Sequence, residues 1–191
     1  APFMKTTRDD EVRFSIWLSK TSDKLYFERT SRDLKRIDIC EANTATGEVR
    51  TILEERLNTY VETRPLGLVN NGEEFIHWSE RDGWAHFYLY DGNGTMKKQI
   101  TSGPWHCDRI EGVDEKNRVL YFTANGRESG EDPYYYHLYR INLDGTGLKL
   151  LNEGDFDHQI SLNYANHFFV DNAARVNTSP QSSIYDNQGR L

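Results

Sequence analysis

A module of four short strands recurs along this chain about every 48 residues. Its plainest marker is an aromatic-aliphatic run: Leu25-Tyr26-Phe27, Phe75-Ile76-His77-Trp78, Leu120-Tyr121-Phe122 and Phe168-Phe169-Val170, whose starts lie 50, 45 and 48 residues apart. Around each run the same plan repeats. In the first repeat Phe14 to Leu18 reads as the opening strand, residues 19–24 as a polar turn, and Arg36-Ile37-Asp38-Ile39-Cys40 as a half-buried strand by its alternation. A turn at Thr46-Gly47 leads into Val49 to Leu53. The later repeats reuse that glycine turn as Asp91-Gly92-Asn93-Gly94, Asp144-Gly145-Thr146-Gly147 and Asn187-Gln188-Gly189. Four-stranded repeats of about 40–50 residues are the signature of propeller blades.

No segment shows a sustained helical period with caps, and aromatics make up 13% of the residues, a mix that suits pleated surfaces. The chain therefore reads as all-β: a partial β-propeller of about four blades, each a four-stranded antiparallel meander. The expected blades span residues 14–53, 66–100, 110–151 and 160–191 of one propeller domain, the last without its outer strand. A sandwich with evenly spaced strands is the alternative, and the shared turn glycine in every repeat argues against it.

Charge narrows the partners. Lys and Arg total 23 against 30 Asp and Glu, a net charge of −7, and no cluster of basic residues offers a phosphate-binding surface. Nucleic acid is not an expected partner. No apolar run approaches the roughly 18 residues of a membrane span. Ala1-Pro2-Phe3-Met4-Lys5 holds no signal-peptide core and lacks an initiator Met, so the chain reads as a piece of something longer. Cys40 and Cys107 read as buried thiols used as small apolar residues.

In an up-and-down meander, turns 1–2 and 3–4 emerge at one end, and turns 2–3 with the links to the next blade at the other. The first set is tight. The second is longer and chemically richer: residues 54–65, 81–84, 101–109 and 125–136, with Arg64, Trp84, Trp105, Arg127 and the run Tyr134-Tyr135-Tyr136. Function sits on loops held by a rigid scaffold, so this end is the expected functional one.

Catalytic chemistry is not evident. No serine has the flanking glycines of a nucleophile elbow. His77, His86, His137 and His167 fall in or beside strands as hydrogen-bonded structural residues, while His106 and His158 read as surface groups in links. No pair has metal-ligand spacing, so neither metal nor cofactor is expected. Asp91 to Gly94 lacks the acid that a calcium loop needs eleven positions on, where Ser102 stands. Asn93-Gly94-Thr95 and Asn177-Thr178-Ser179 match the glycosylation pattern by chance-level signals. The pairs Glu54-Glu55 and Glu73-Glu74 read as solvated charges at strand ends. The opening strands hold no matched carboxylates, which argues against a propeller glycosidase.

Residues 24–176 resemble a known family. Leu25 to Asp33 ahead of Asp38-Ile39-Cys40, the run Trp78-Ser79-Glu80-Arg81-Asp82-Gly83-Trp84-Ala85-His86-Phe87-Tyr88-Leu89-Tyr90, Gln99 to Trp105, Val119 to Ala124 and His137 to Asn142 look like the N-terminal propeller of dipeptidyl peptidase IV-type serine exopeptidases, within the prolyl oligopeptidase family. The resemblance implies half of an eight-bladed propeller capping a C-terminal α/β-hydrolase domain of the same polypeptide. That domain would carry the Ser, Asp and His, and the parent would remove N-terminal dipeptides with Pro or Ala second from short peptide substrates. This chain would hold no catalytic residue. The family's amine-binding glutamates have no match here, since Glu54-Glu55 and Glu73-Glu74 stand in another context. Arg64-Pro65 falls in a segment that can face the substrate cavity, which makes Arg64 the expected substrate-facing residue. A half-ring leaves sheet faces and an edge uncovered, so self-association is expected, with a closed four-bladed monomer as the rival outcome. A stand-alone interaction propeller is the alternative function.

Overall fold

The structure, a computed structural model, describes residues 10–17 and 23–191; for residues 10 and 14–17 it describes the backbone alone. Leu18 and most of the first expected turn therefore lie outside the described residues. Among the described residues fifteen strands form four antiparallel sheets. The first holds β1 (Asp10–Trp17), β2 (Lys24–Ser31), β3 (Arg36–Asn43) and β4 (Val49–Arg56). The second holds β5 (Gly67–Val69), β6 (Glu74–Ser79), β7 (His86–Asp91) and β8 (Met96–Gln99). The third holds β9 (His106–Asp114), β10 (Val119–Asn125), β11 (Tyr136–Asn142) and β12 (Lys149–Leu150). The fourth has three strands, β13 (Asp157–Leu162), β14 (Phe168–Ala174) and β15 (Gln181–Asp186). In every sheet spatial order follows chain order, as an up-and-down blade requires. The only helical turn among the described residues is 3-10, at Asn70–Gly72. The fold is all-β, a partial β-propeller.

The chain divides into two compact units, residues 1–81 with 89–97 and residues 82–88 with 98–191. In the first unit Phe27, Cys40 and Ala42 form a small core with Val12 and Leu25 against it. In the second, Val119, Tyr121, Leu138, Leu151, Ile160 and Phe169 are buried together, with Leu162 and Tyr185 at the margin. Burying each such large side chain is worth about 1.5–3 kcal/mol. The period-2 alternation selects them: Val119 and Tyr121 share one face of β10.

The turn after the third strand is built the same way in three of the four sheets. A carboxylate or amide at its first position accepts backbone N–H groups ahead of it: Asn43 from Ala45 and Thr46, Asp91 from Asn93 and Thr95, Asp186 from Gln188 and Arg190, all at 2.8–3.0 Å. Two of these turns seat against the fourth strand of the preceding sheet in their own unit. A Cβ on Gly94 (φ +85°) would run into the Ile52 carbonyl, and one on Gly189 (φ +76°) would stand 2.6 Å from that of Leu151. A basic side chain two residues earlier completes each seat: Arg50 Nη2 donates to the Gly92 carbonyl at 3.2 Å and Lys149 Nζ to that of Gln188 at 2.6 Å.

Candidate functional site

The meander gathers turns 2–3 and the inter-sheet links at one end of each sheet, and Arg64 lies there, on the 57–66 link. Two backbone bonds pin this link to the β2–β3 turn: Leu57 N–H to the Lys35 carbonyl at 3.0 Å and Val61 N–H to that of Leu34 at 2.8 Å. Leu34 adopts the left-handed conformation at φ 57°. The Val61 side chain is buried. Arg64 is half-buried. Its guanidinium stands 5.0 Å from the centroid of the Trp78 ring, pairs with Glu62 and donates to the Thr63 carbonyl at 3.2 Å. Beside it, burial and then Glu62 push the Glu80 carboxyl up, with Arg64 opposing them.

Behind the link is a buried polar cluster in the same unit. Glu55, at the end of β4, receives His77 Nε2 at 2.7 Å and Arg81 Nη2 at 2.8 Å on one oxygen and the Ser79 hydroxyl on the other. Arg81 also donates from Nε to Ser79 Oγ at 2.9 Å and from Nη1 to the Tyr90 hydroxyl, and its guanidinium stands 5.8 Å from the Tyr90 ring centroid. Burial pushes the Glu55 carboxyl up, but His77, Ser79 and Arg81 outweigh it and hold it below the ordinary value. Glu28, on β2, behaves differently. Burial pushes its carboxyl up to about 7, against the Thr63 hydroxyl and Arg13, which favour the charged form.

These contacts correct two expectations. Glu55 and Glu74 are not solvated: Glu55 is 7% exposed and Glu74, paired with Lys97, is 5% exposed. Their neighbours Glu54 and Glu73 are exposed. Adjacent strand residues point to opposite faces, so each pair splits into one buried and one solvated carboxylate.

The chemistry available to this cluster is binding and support. The Ser79 hydroxyl is spent on Glu55 and His77 faces that same carboxylate, so no serine–histidine pair forms there. In the second unit His86 does approach the Thr101 hydroxyl, at 3.1 Å, but both are buried and the hydroxyl also accepts the Phe87 N–H. Among the described residues no group of three or more His, Cys, Asp or Glu is placed to hold a metal ion.

The second unit also separates its aromatics. Trp84 is 47% exposed and Tyr134 82% exposed, at the loop-rich end as expected. Trp105 is not a surface residue. Its ring lies 6.2 Å from the centroids of Phe122 and Tyr139 and edge-on to His86 at 5.2 Å. Arg127 pairs with Glu128 and stands 5.6 Å from the Tyr139 ring centroid. The link before β9 is shorter than expected because the strand begins at His106. His158, expected at the surface, is buried in β13 and bonded to Asp171.

The chain matches the family model described as the dipeptidyl peptidase IV (DPP IV) N-terminal region over residues 2–180. Among curated proteins, the dipeptidyl peptidase 4 of Arthroderma otae is 28% identical over 133 residues, covering 67% of this chain and 17% of that protein. The probable dipeptidyl-aminopeptidase B of the same species is 23% identical over 175 residues, 83% of this chain and 18% of the relative. Among solved structures, Porphyromonas gingivalis dipeptidyl peptidase 4 superposes with a TM-score of 0.84 at 21% identity, covering 97% of this chain and 26% of that one. A putative dipeptidyl aminopeptidase IV from Bacteroides ovatus gives 0.80 at 22% identity, covering 96% and 28%. The chain spans less than a fifth of the length of these curated relatives.

Proposed function

This chain belongs to the family of dipeptidyl peptidase IV N-terminal regions, and from that premise we propose that it is the non-catalytic propeller portion of a serine-type dipeptidyl peptidase. In this reading residues 1–191 are a fragment of one propeller domain, and the catalytic Ser, Asp and His belong to a C-terminal α/β-hydrolase domain of the same polypeptide. The parent removes N-terminal dipeptides with Pro or Ala second. The propeller portion shapes and gates the cavity, admits short peptides, and turns Arg64 toward them.

The observation that carries the reading is the family match across residues 2–180, joined by the fixed setting of Arg64 between Trp78 and Glu62. A guanidinium seated on a ring face is the planar, multi-donor group that pairs with a carbonyl or carboxylate of a peptide. The test is hydrolysis of Gly-Pro and Ala-Pro chromogenic dipeptides by the full-length parent. Turnover supports the reading. No turnover by a soluble, folded parent refutes it and leaves an interaction propeller in its place.

The same reading includes self-association of the 191-residue chain. The fourth sheet ends at β15 as an edge strand, and Phe168 (54% exposed), Val170 (36%) and Ile184 (65%) lie on one face of it. A clean monomer by light scattering at tens of micromolar would sink this part alone.

A further inference from the structure

Two kinds of arginine pair recur in the first unit. Arg29 with Asp38, Arg50 with Glu41 and Arg81 with Glu55 each join separate segments of the framework. Arg13 with Glu11, Arg56 with Glu54 and Arg64 with Glu62 join residues two apart on one segment, so they tie no segments together. Arg64 adds a ring to its pair: Trp78 is 3% exposed, and the guanidinium stands 5.0 Å from its ring centroid. One nitrogen, Nη1, serves both Glu62 and the Thr63 carbonyl. The 57–66 link thus carries an arginine together with that arginine's own counter-ion.

Resting on the reading of Arg64 as substrate-facing, we propose that Glu62 sets the charge of what Arg64 accepts: the site takes an uncharged carbonyl of a peptide and turns away a carboxylate. Both groups suit a guanidinium by shape, so charge has to choose between them. A carbonyl asks for a donor. A carboxylate asks for net positive charge, and here it meets Glu62 already on the same guanidinium. Like charges placed that close cost affinity and suppress the wrong partner. Trp78 strengthens the effect, because a buried indole against the guanidinium leaves water fewer directions from which to screen the charges.

Glu80 adds a second negative group. It follows β6 two residues after Trp78 and is half-buried. Burial and then Glu62 push its carboxyl up, and Arg64 opposes them, which sets all three side chains within reach of one another's fields. Two carboxylates against one guanidinium leave the group net negative when all three are ionised. In the proposed reaction the second residue of the departing dipeptide is Pro or Ala, so the first is where that dipeptide can bring an acid. The parent should therefore favour dipeptides whose first residue is neutral or basic over those whose first residue is acidic.

The p-nitroanilides of Gln-Pro and Glu-Pro, nearly equal in size and different in charge, test this on the full-length parent. Gln-Pro should exceed Glu-Pro in kcat/KM by at least about tenfold. Glu62→Gln keeps the shape and removes the charge, and should narrow that ratio about fivefold or more. Arg64→Ala leaves the carboxylates unopposed and should widen it. Glu54→Gln removes one exposed charge elsewhere in the unit and should leave the ratio as it is. Each ratio is read within one protein, so a change in the folded fraction cancels. A parent that turns over both peptides equally, a ratio unmoved in Glu62→Gln, or an equal shift in Glu54→Gln overturns the role of Glu62, while turnover of Gln-Pro leaves the peptidase reading standing. A soluble, folded parent that hydrolyses neither peptide refutes that reading and the role of Glu62 with it.

Discussion

His158 Nδ1 lies 2.8 Å from an oxygen of Asp171, with both side chains buried. The other ring nitrogen faces the Gly154 carbonyl at 3.2 Å. A neutral imidazole has one N–H, so acceptors on both sides are satisfied together only by the protonated ring. Burial pulls the His158 pKa down, and Asp171 more than reverses that, leaving it above 6.5. A raised histidine contributes stability that is complete below its unfolded value and is lost as pH rises through its folded one. The unit containing residues 98–191 should therefore unfold at lower urea at about pH 9 than at about pH 7. Asp171→Asn should cost about 3 kcal/mol at neutral pH and flatten that dependence. An unaltered pH slope in the variant would assign the effect to another group.

Glu54 and Glu55 should respond in opposite ways. Glu55→Gln leaves Arg81 without its buried counter-charge and should cost about 3 kcal/mol, whereas Glu54→Gln at the exposed position should stay within about 0.5 kcal/mol. Paired thermal melts read this, and equal shifts in the two variants would contradict the split between faces.

Gly94 and Gly47 isolate the cost of a close approach. Both have φ near the left-handed region, at +85° and +73°, but only at Gly94 would a Cβ meet the Ile52 carbonyl; Gly47 has no described atom within 4 Å of that position. Gly47→Ala should cost about 1 kcal/mol from its conformation alone. Gly94→Ala should cost at least about 2 kcal/mol more, because the strand itself must shift. Urea midpoints of the two variants give the comparison.

In the full-length parent, Arg64→Ala should raise KM for a Gly-Pro substrate about tenfold and leave kcat within about threefold, the pattern of lost ground-state binding. A fall in kcat at constant KM would move Arg64 out of the proposed substrate contact.

The repeat was legible because its signals are local. Asp91 with Gly94 and Asp186 with Gly189 are turn chemistry written within five residues, and the aromatic runs mark the second strands. What escaped was long-range or directional. Alternation shows that Glu54 and Glu55 face apart, but which one is buried depends on His77 and Arg81, 22 and 26 residues on. Trp105 reads as a loop aromatic. Only the backbone at Gly103, at φ +123°, where a Cβ would lie 2.5 Å from the indole nitrogen, explains how its ring folds back over Phe122. His158 reads as a link residue because β13 starts three residues before the alternation becomes plain, at Asp157 rather than Ile160. Arg64 is singled out by resemblance alone, and its substrate contact is a proposal. Its seat on Trp78 has no local signature, since the two are fourteen residues apart.

The turn seats at Gly94 and Gly189 divide the sequence's freedom to vary. Where a turn docks on the preceding strand's carbonyl, neither an added residue nor an added methyl is absorbed without shifting that strand, so this end of the meander is committed to assembly. The 57–66 and 126–135 segments carry no such docking constraint from a turn glycine. They can be lengthened or recharged while the framework that holds them stays as it is.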